Sequence, residues 1–240
     1  MDSHHYLRHM AKQRITIAID GHSSAGKSTM AKALAKELNY FYIDTGAMYR
    51  GVTLFAMKER YVMNGCVDES GLEQALDRLF LTFRFNPSTE CSEMHLGGTN
   101  IEKEIRTMEV AKNVSLVAKI PAVRTKLVAL QRRLAEGDSV VMDGRDIGTV
   151  VLPHAELKFF MTADPEVRAW RRLRELQGNG KEVTFDEVLE NVLERDRIDS
   201  ERAVAPLKQA DDAVVIDNSN LTMEEQYQFM LNLAKKRMDQ

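Results

Sequence analysis

Lys27 and Ser28 close the run GHSSAGKS at residues 21–28. Two glycines, then a lysine and a hydroxyl, make the pattern G-x-x-x-x-G-K-S, which is suited to cradling the phosphates of a nucleotide. Gly21 and Gly26 permit backbone angles closed to other residues. The N–H groups of His22, Ser23, Ser24 and Ala25 can then turn inward around phosphate oxygens. Lys27 is expected to reach the β- and γ-phosphates and Ser28 to place its hydroxyl on Mg²⁺. Thr29 opens a helical pattern, whose positive dipole end faces the same charge. The expected ligand is Mg·ATP or Mg·GTP, and the loop leaves the reaction open.

Arginines bear on that question. DTGAMYR at 44–50 offers Thr45 as a helix cap and puts Arg50 about a turn and a half inside the helix. DGRDIGTVV at 143–151 puts Arg145 and Asp146 just after an apolar run, with Asp143 a further candidate for Mg²⁺. ERDRIDSERAVAPL at 194–207 carries Arg195, Asp199 and Arg202 at spacings of four and three, on one helix face. PEVRAWRRLREL brings Arg168, Arg171 and Arg172 together, with Arg174 nearby. Such a face suits a lid over polyphosphate, or pairing with Glu166 and Glu175 along the helix. Guanidinium forks match phosphate and base edges. QGNGK at 177–181 reads as a hinge, and Trp170 as a packing residue.

No guanine-reading N-K-x-D is present, and Gly144 rather than Glu follows Asp143. Both facts argue against a switch GTPase or a motor ATPase. A small-molecule kinase, which needs cations to bring two anions together, and a nucleotide-binding regulatory module both remain open.

These groups must be held at one edge of something. Continuous apolar runs at 15–20, 40–44, 139–143, 157–162 and 213–217 read as buried parallel strands. Four of them end in Asp20, Asp44, Asp143 and Asp217. Helical patterns at 29–38, 122–134 and 227–234 alternate with them. The expected fold is α/β: a doubly wound parallel five-stranded sheet with helices on both faces and ligands at the strands' carboxyl ends. Residues 46–138 exceed a single crossover. The stretch 81–100 alternates and carries a Gly97-Gly98 turn, so it reads as a small antiparallel insertion.

The composition, 44% hydrophobic and 29% charged over 240 residues, is that of an ordinary globular chain. A net charge of −3 disfavours nucleic acid as the main partner. No apolar run approaches the ~20 residues of a membrane span. Cys66 and Cys91 form no metal or disulfide pattern. Residues 1–14, with His4, His5 and His9, read as a leader, either disordered or foreign to the native chain.

In order along the chain, DGHSSAGKST, DTGAMYR, EIRTMEVAKNVSLVAKIPAVR, DGRDIGTVV and ERDRIDSERAVAPL resemble the bacterial cytidylate kinase family, from about Ile15 to the last helix. The resemblance implies a P-loop nucleoside monophosphate kinase that moves the ATP γ-phosphate to CMP or dCMP, with Mg²⁺, as a cytoplasmic monomer. It implies that Arg50, Arg145 and Arg195 hold the CMP phosphate and Asp199 the sugar hydroxyls. By the same resemblance Ser115, Arg124 and Arg202 would read the cytosine edge, with Asp146 orienting the arginines. Lys27, Arg145, Arg168, Arg171 and Arg172 become the catalytic cations. Thr45 stands where the family often has Ser, and His22 where its loop often has Pro. The implied division is one kinase domain, 15–240. Its core is 15–45, 122–164 and 195–240, its monophosphate-binding insertion about 46–121, and its lid about 165–194.

Overall fold

The computed structural model describes residues 13–88, 91–137, 139–178 and 180–240. Residues 1–12 of the expected leader and Asn179 of the expected hinge lie outside them. The chain opens with β1 (Ile17–Gly21) and α1 (Lys27–Leu38), then β2 (Phe41–Asp44) and α2 (Thr45–Lys58). A hairpin of β3 (Val62–Met63) and β4 (Cys66–Val67) leads to α3 (Glu69–Ala75). The antiparallel strands β5 (Leu81–Asn86), β6 (Cys91–Leu96) and β7 (Thr99–Asn100) follow, where alternation predicts them. Helices α4 (Met108–Ala118) and α5 (Pro121–Ala135) return the chain to β8 (Val140–Asp143). Then come β9 (Leu157–Thr162), the paired helices α6 (Pro165–Gly178) and α7 (Phe185–Glu201), β10 (Val214–Asp217) and α8 (Met223–Met238). Among the described residues no helix is long and apolar enough to cross a membrane.

The five apolar runs become the five strands of a parallel sheet, in the order β2-β8-β1-β9-β10. Their continuous hydrophobicity reflects two covered faces. Ile17 and Ile19 of β1 pack with α1 and α8, against Leu34 and Met230. Ala18, between them, packs into the opposite core with Met48 and Val52 of α2 and Leu127 of α5. Each fully buried Ile or Leu contributes roughly 1.5–3 kcal/mol. From β1 the chain passes to the edge strand β2, returns to β8 beside β1, then crosses to β9 and β10 on the other side. β1 is therefore the switch point, and its carboxyl end opens into the crevice where such sheets bind ligands.

The middle segment and the α6–α7 pair are built differently. Leu81, Met94, Ile101 and Ile105 share one core with α2 and α5. The α6–α7 hairpin closes a small core of its own from Ala169, Leu173, Leu176, Val188 and Val192. Trp170 stacks on Phe185 at 4.5 Å between ring centres, a packing role as its sequence context suggests.

Thr45 does not cap α2. It is the first helical residue, and Asp44 is the cap, its carboxylate accepting Ala47 N–H at 2.8 Å. An extended residue ending a strand has the backbone angles a cap needs, and Thr45 is already helical. The Thr45 hydroxyl instead donates to the Asp143 carbonyl at 2.7 Å.

Candidate active site

A cleft of about 430 Å³ opens at the carboxyl ends of β1, β2 and β8. The phosphate loop forms its floor. Gly21 takes φ +143°, where a Cβ would lie 1.9 Å from the Met161 carbonyl oxygen and only glycine fits, and Gly26 takes φ +86° at the start of α1. Ser24 adopts a left-handed φ of 59° without being glycine, a local strain of the kind kept at ligand sites. Ser23, Ser24, Gly26, Lys27, Ser28 and Thr29 line the cleft. Gly21, His22 and Ala25 lie behind that surface. The His22 ring meets Phe160 edge-on, 5.8 Å between centres, and its buried Nδ1 has no hydrogen-bond partner. Lys27 Nζ donates to the His22 carbonyl at 2.6 Å. Burial, then the facing Arg145, push the Lys27 ammonium well below its ordinary range.

Ser28 Oγ donates to Asp143 Oδ2 at 2.9 Å, and the Tyr42 hydroxyl to Asp143 Oδ1 at 2.8 Å. Burial, helped by Asp44, pushes the Asp143 carboxyl up. A hydroxyl and a carboxylate beside the phosphate loop are the hard oxygen donors a divalent cation prefers. A cation there would also favour the ionised carboxylate that burial opposes.

The arginines fall into two groups. Arg50, Arg145, Arg172, Arg195 and Arg202 line the cleft. Arg50 Nη1 and Arg195 Nε are enclosed without a hydrogen-bond partner. Burial and then Arg106 push the Arg50 guanidinium down, with Arg172 and Arg145 adding to it. Burial and then Arg145 do the same to Arg195, with Arg50 and Arg172 adding to it. Cations crowded this closely, with N–H groups unspent, form a site for an anion. Arg145 Nε is held by Asp199 Oδ2 at 2.8 Å. Asp146 binds Arg124 on one oxygen and Arg202 Nη2, at 3.5 Å, on the other, so one carboxylate orients both. Ser115 lines the cleft, while Arg124 is buried behind it, 5.6 Å from the Tyr49 ring centre.

Arg168 is not in the cleft. Its Nε donates to Ala163 O at 2.9 Å and its Nη1 to Ser23 O at 3.1 Å, and its Nη2 pairs with Asp196 at 2.6 Å. Its part of the helix is pressed on the loop's outer side, and backbone carbonyls take donors that the sequence pattern assigned to phosphate. Arg171 reaches the cleft edge but is bound twice to Asn218, at 2.8 and 2.9 Å. Arg172 pairs with Glu175 at 2.7 Å, as the helical spacing allows.

Four residues of the site escape the sequence reading. Arg106 lines the cleft and binds Asp44 at 2.9 Å and Glu102 at 2.7 Å. Tyr49 lines it too, with an unpartnered buried hydroxyl. Asn218, fully buried, joins Arg171 to Ala25 O and Gln226, each at 2.8 Å. Asp20 accepts two backbone N–H groups from the loop after β8. Arg106 and Tyr49 sit inside sequence motifs of the site, and Asp20 ends a strand run. Nothing local marks Asn218.

Comparison with known proteins shows the family of the chain. A sequence profile described as cytidylate kinase matches residues 17–236. A cytidylate kinase of Parabacteroides distasonis is 54% identical over 224 residues, covering 93% of this chain and 98% of that one. One from Flavobacterium johnsoniae is 53% identical over 222 residues, covering 92% and 96%. One from Bacteroides thetaiotaomicron is 50% identical over 218 residues, covering 91% and 95%. The chain belongs to the cytidylate kinase family.

Proposed function

We propose that this protein transfers the γ-phosphoryl group of ATP to the phosphate of CMP or dCMP, releasing ADP and the cytidine diphosphate. The observation that carries the acceptor half is the pair of unspent donors, Arg50 Nη1 and Arg195 Nε, among mutually repelling arginines. They share the cleft with the phosphate loop. A donor site alone would not need them.

The donor phosphates lie along the loop's N–H groups, and Lys27 exchanges its bond to His22 O for a phosphate oxygen. Ser28 and Asp143 would hold Mg²⁺, which when bound offsets charge on the donor phosphates. The acceptor phosphate lies among Arg50, Arg145 and Arg195. Asp199 takes the sugar hydroxyls. Ser115 and Arg202 read the cytosine edge, with Arg124 and Asp146 behind them. Thr45 spends its proton on the Asp143 carbonyl, so it offers a ligand only an acceptor oxygen.

Phosphoryl transfer demands position and charge compensation more than covalent help. The acceptor is an ionised phosphate, so no strong base is required. One acceptor oxygen forms the new P–O bond as the bridging bond to ADP breaks, and ADP leaves with the electron pair. Arg145 and Arg172, which line the cleft, would neutralise the moving charge. The α6–α7 hairpin acts as a lid that excludes water and suppresses idle ATP hydrolysis. Residues 46–121 carry the monophosphate side. Both substrates diffuse freely, and the protein works as a cytoplasmic monomer.

A coupled assay of ADP release with CMP, dCMP, UMP, AMP, GMP and shikimate tests this function. Release should depend on CMP or dCMP. Release that ignores both would end the proposal.

A further inference from the structure

Asp20 has no part in the chemistry above, yet both of its carboxylate oxygens are used beside the site. It lies in β1 beside the phosphate loop and is 4% exposed. Oδ1 accepts the Ile147 N–H and Oδ2 the Gly148 N–H, both at 2.7 Å. These two groups open a π-helical turn, Ile147–Val151, directly after Arg145 and Asp146. A π turn is rare and tends to occur at functional sites. Its far end is held by Arg132, with Nε on Val151 O at 3.0 Å and Nη2 on Val150 O at 2.7 Å. Gly144 N–H adds a bond to Ile19 O at 2.9 Å. The segment 144–151 is thus tied to β1 and α5 through its own backbone, leaving Arg145 and Asp146 free to face the cleft.

Keeping an ionised carboxylate in such a place is costly unless its oxygens are satisfied. Burial pushes the Asp20 carboxyl up to about 6, against the two N–H bonds, with Asp146 raising it and Lys27 lowering it. A neutral side chain would avoid that cost but would not accept both N–H groups.

We propose that Asp20 is a positioning residue: its carboxylate fixes the acceptor side of the site, through Arg145 and Asp146, to the strand that carries the donor loop. The role holds only if the cleft binds the two nucleotides proposed above. Arg145 is bonded to Asp199, and Asp146 to Arg124 and Arg202. A shift of residues 145–148 therefore reaches Asp199, Arg124 and Arg202. Lys27 and Ser28 stand on α1 and make no hydrogen bond to this segment's backbone, although the Asp20 charge favours the Lys27 ammonium.

The test is a steady-state comparison of wild type, Asp20→Asn and Gly148→Ala, with CMP and ATP varied separately. Asn keeps one acceptor and turns an NH₂ toward the other N–H. A Cβ at Gly148 would lie 3.3 Å from Asp20 Oδ2 and 3.0 Å from Lys158 Cδ, crowding the same bond from the other side. Misplacement of this kind should raise KM for CMP about tenfold in Asp20→Asn and severalfold in Gly148→Ala. KM for ATP should stay within about twofold. Unchanged KM for CMP, or equal rises for both substrates, would show that Asp20 serves the fold alone. If Asp20→Asn does not fold, Gly148→Ala decides by the same criterion. If wild type shows no CMP-dependent ADP release, the two-nucleotide reading fails first and this role falls with it.

Discussion

The segment from β5 to α4 and the hairpin of α6 and α7 both border the cleft, but different forces attach them. The first is joined through apolar side chains: Leu81, Met94, Ile101 and Ile105 are continuous with the core beneath α2 and α5. The second has a separate apolar core and is docked largely through arginine. Arg168 bonds Ser23 and Ala163 from α6 and pairs with Asp196 of α7, while Arg171 bonds Asn218. Apolar packing is lost steeply with displacement, whereas a few polar contacts exchange readily for water or ligand. The segment from β5 to α4 is thus fixed by apolar packing, and the hairpin is held by contacts that exchange more readily, although Arg195 and Asp199 of α7 also face the cleft.

The two regions share a floor, so the largest effect lies there. Lys27→Ala should lower kcat by about 10²–10³ with every acceptor, read in the coupled assay. A loss confined to one acceptor would mean that the loop is not common to both halves. Next in size, Met94→Ala should cost about 3 kcal/mol of global stability, seen as a lower Tm and faster amide exchange throughout the described sheet. Arg168→Met should cost about 2 kcal/mol, because it strands Asp196, which is 17% exposed. Its exchange signature should be confined to residues 165–201. If both variants loosen the same amides, the two regions are not attached differently.

Much of this plan is legible in the residue order. The phosphate loop and the strands are local features. The loop's chemistry lies within residues 21–28, and the strand ends fall within one or two residues of the apolar runs. What is not legible depends on distant partners. The spacing of Arg168, Arg171 and Arg172 puts them near one another on a helix but cannot say what that helix faces. Ser23 is 145 residues away from Arg168, and Ala25 is 193 away from Asn218. A cation pattern reads the same whether its donors meet phosphate or backbone carbonyls. Thr45 and Asp44 differ by one residue as the start of α2, and only the backbone angle separates cap from first turn. The terminal aspartates of the strands are visible in the sequence, but their separate uses are not. Asp20 anchors a loop, Asp44 caps a helix and Asp143 meets Ser28.

The smallest effect is the most diagnostic for the acceptor side. Arg195 has a buried donor without a partner and is repelled by Arg145, Arg50 and Arg172. Arg195→Met should therefore raise the stability of the free protein by about 1 kcal/mol while raising KM for CMP. A loss of stability would mean that the free protein already spends this cation.

The central claim is that these unspent guanidinium donors await the acceptor phosphate. A crystal structure with CMP bound tests it most directly. Arg50 Nη1 and Arg195 Nε should each lie about 3 Å from a CMP phosphate oxygen. A CMP phosphate seated elsewhere, with both atoms still unpartnered, would contradict the account.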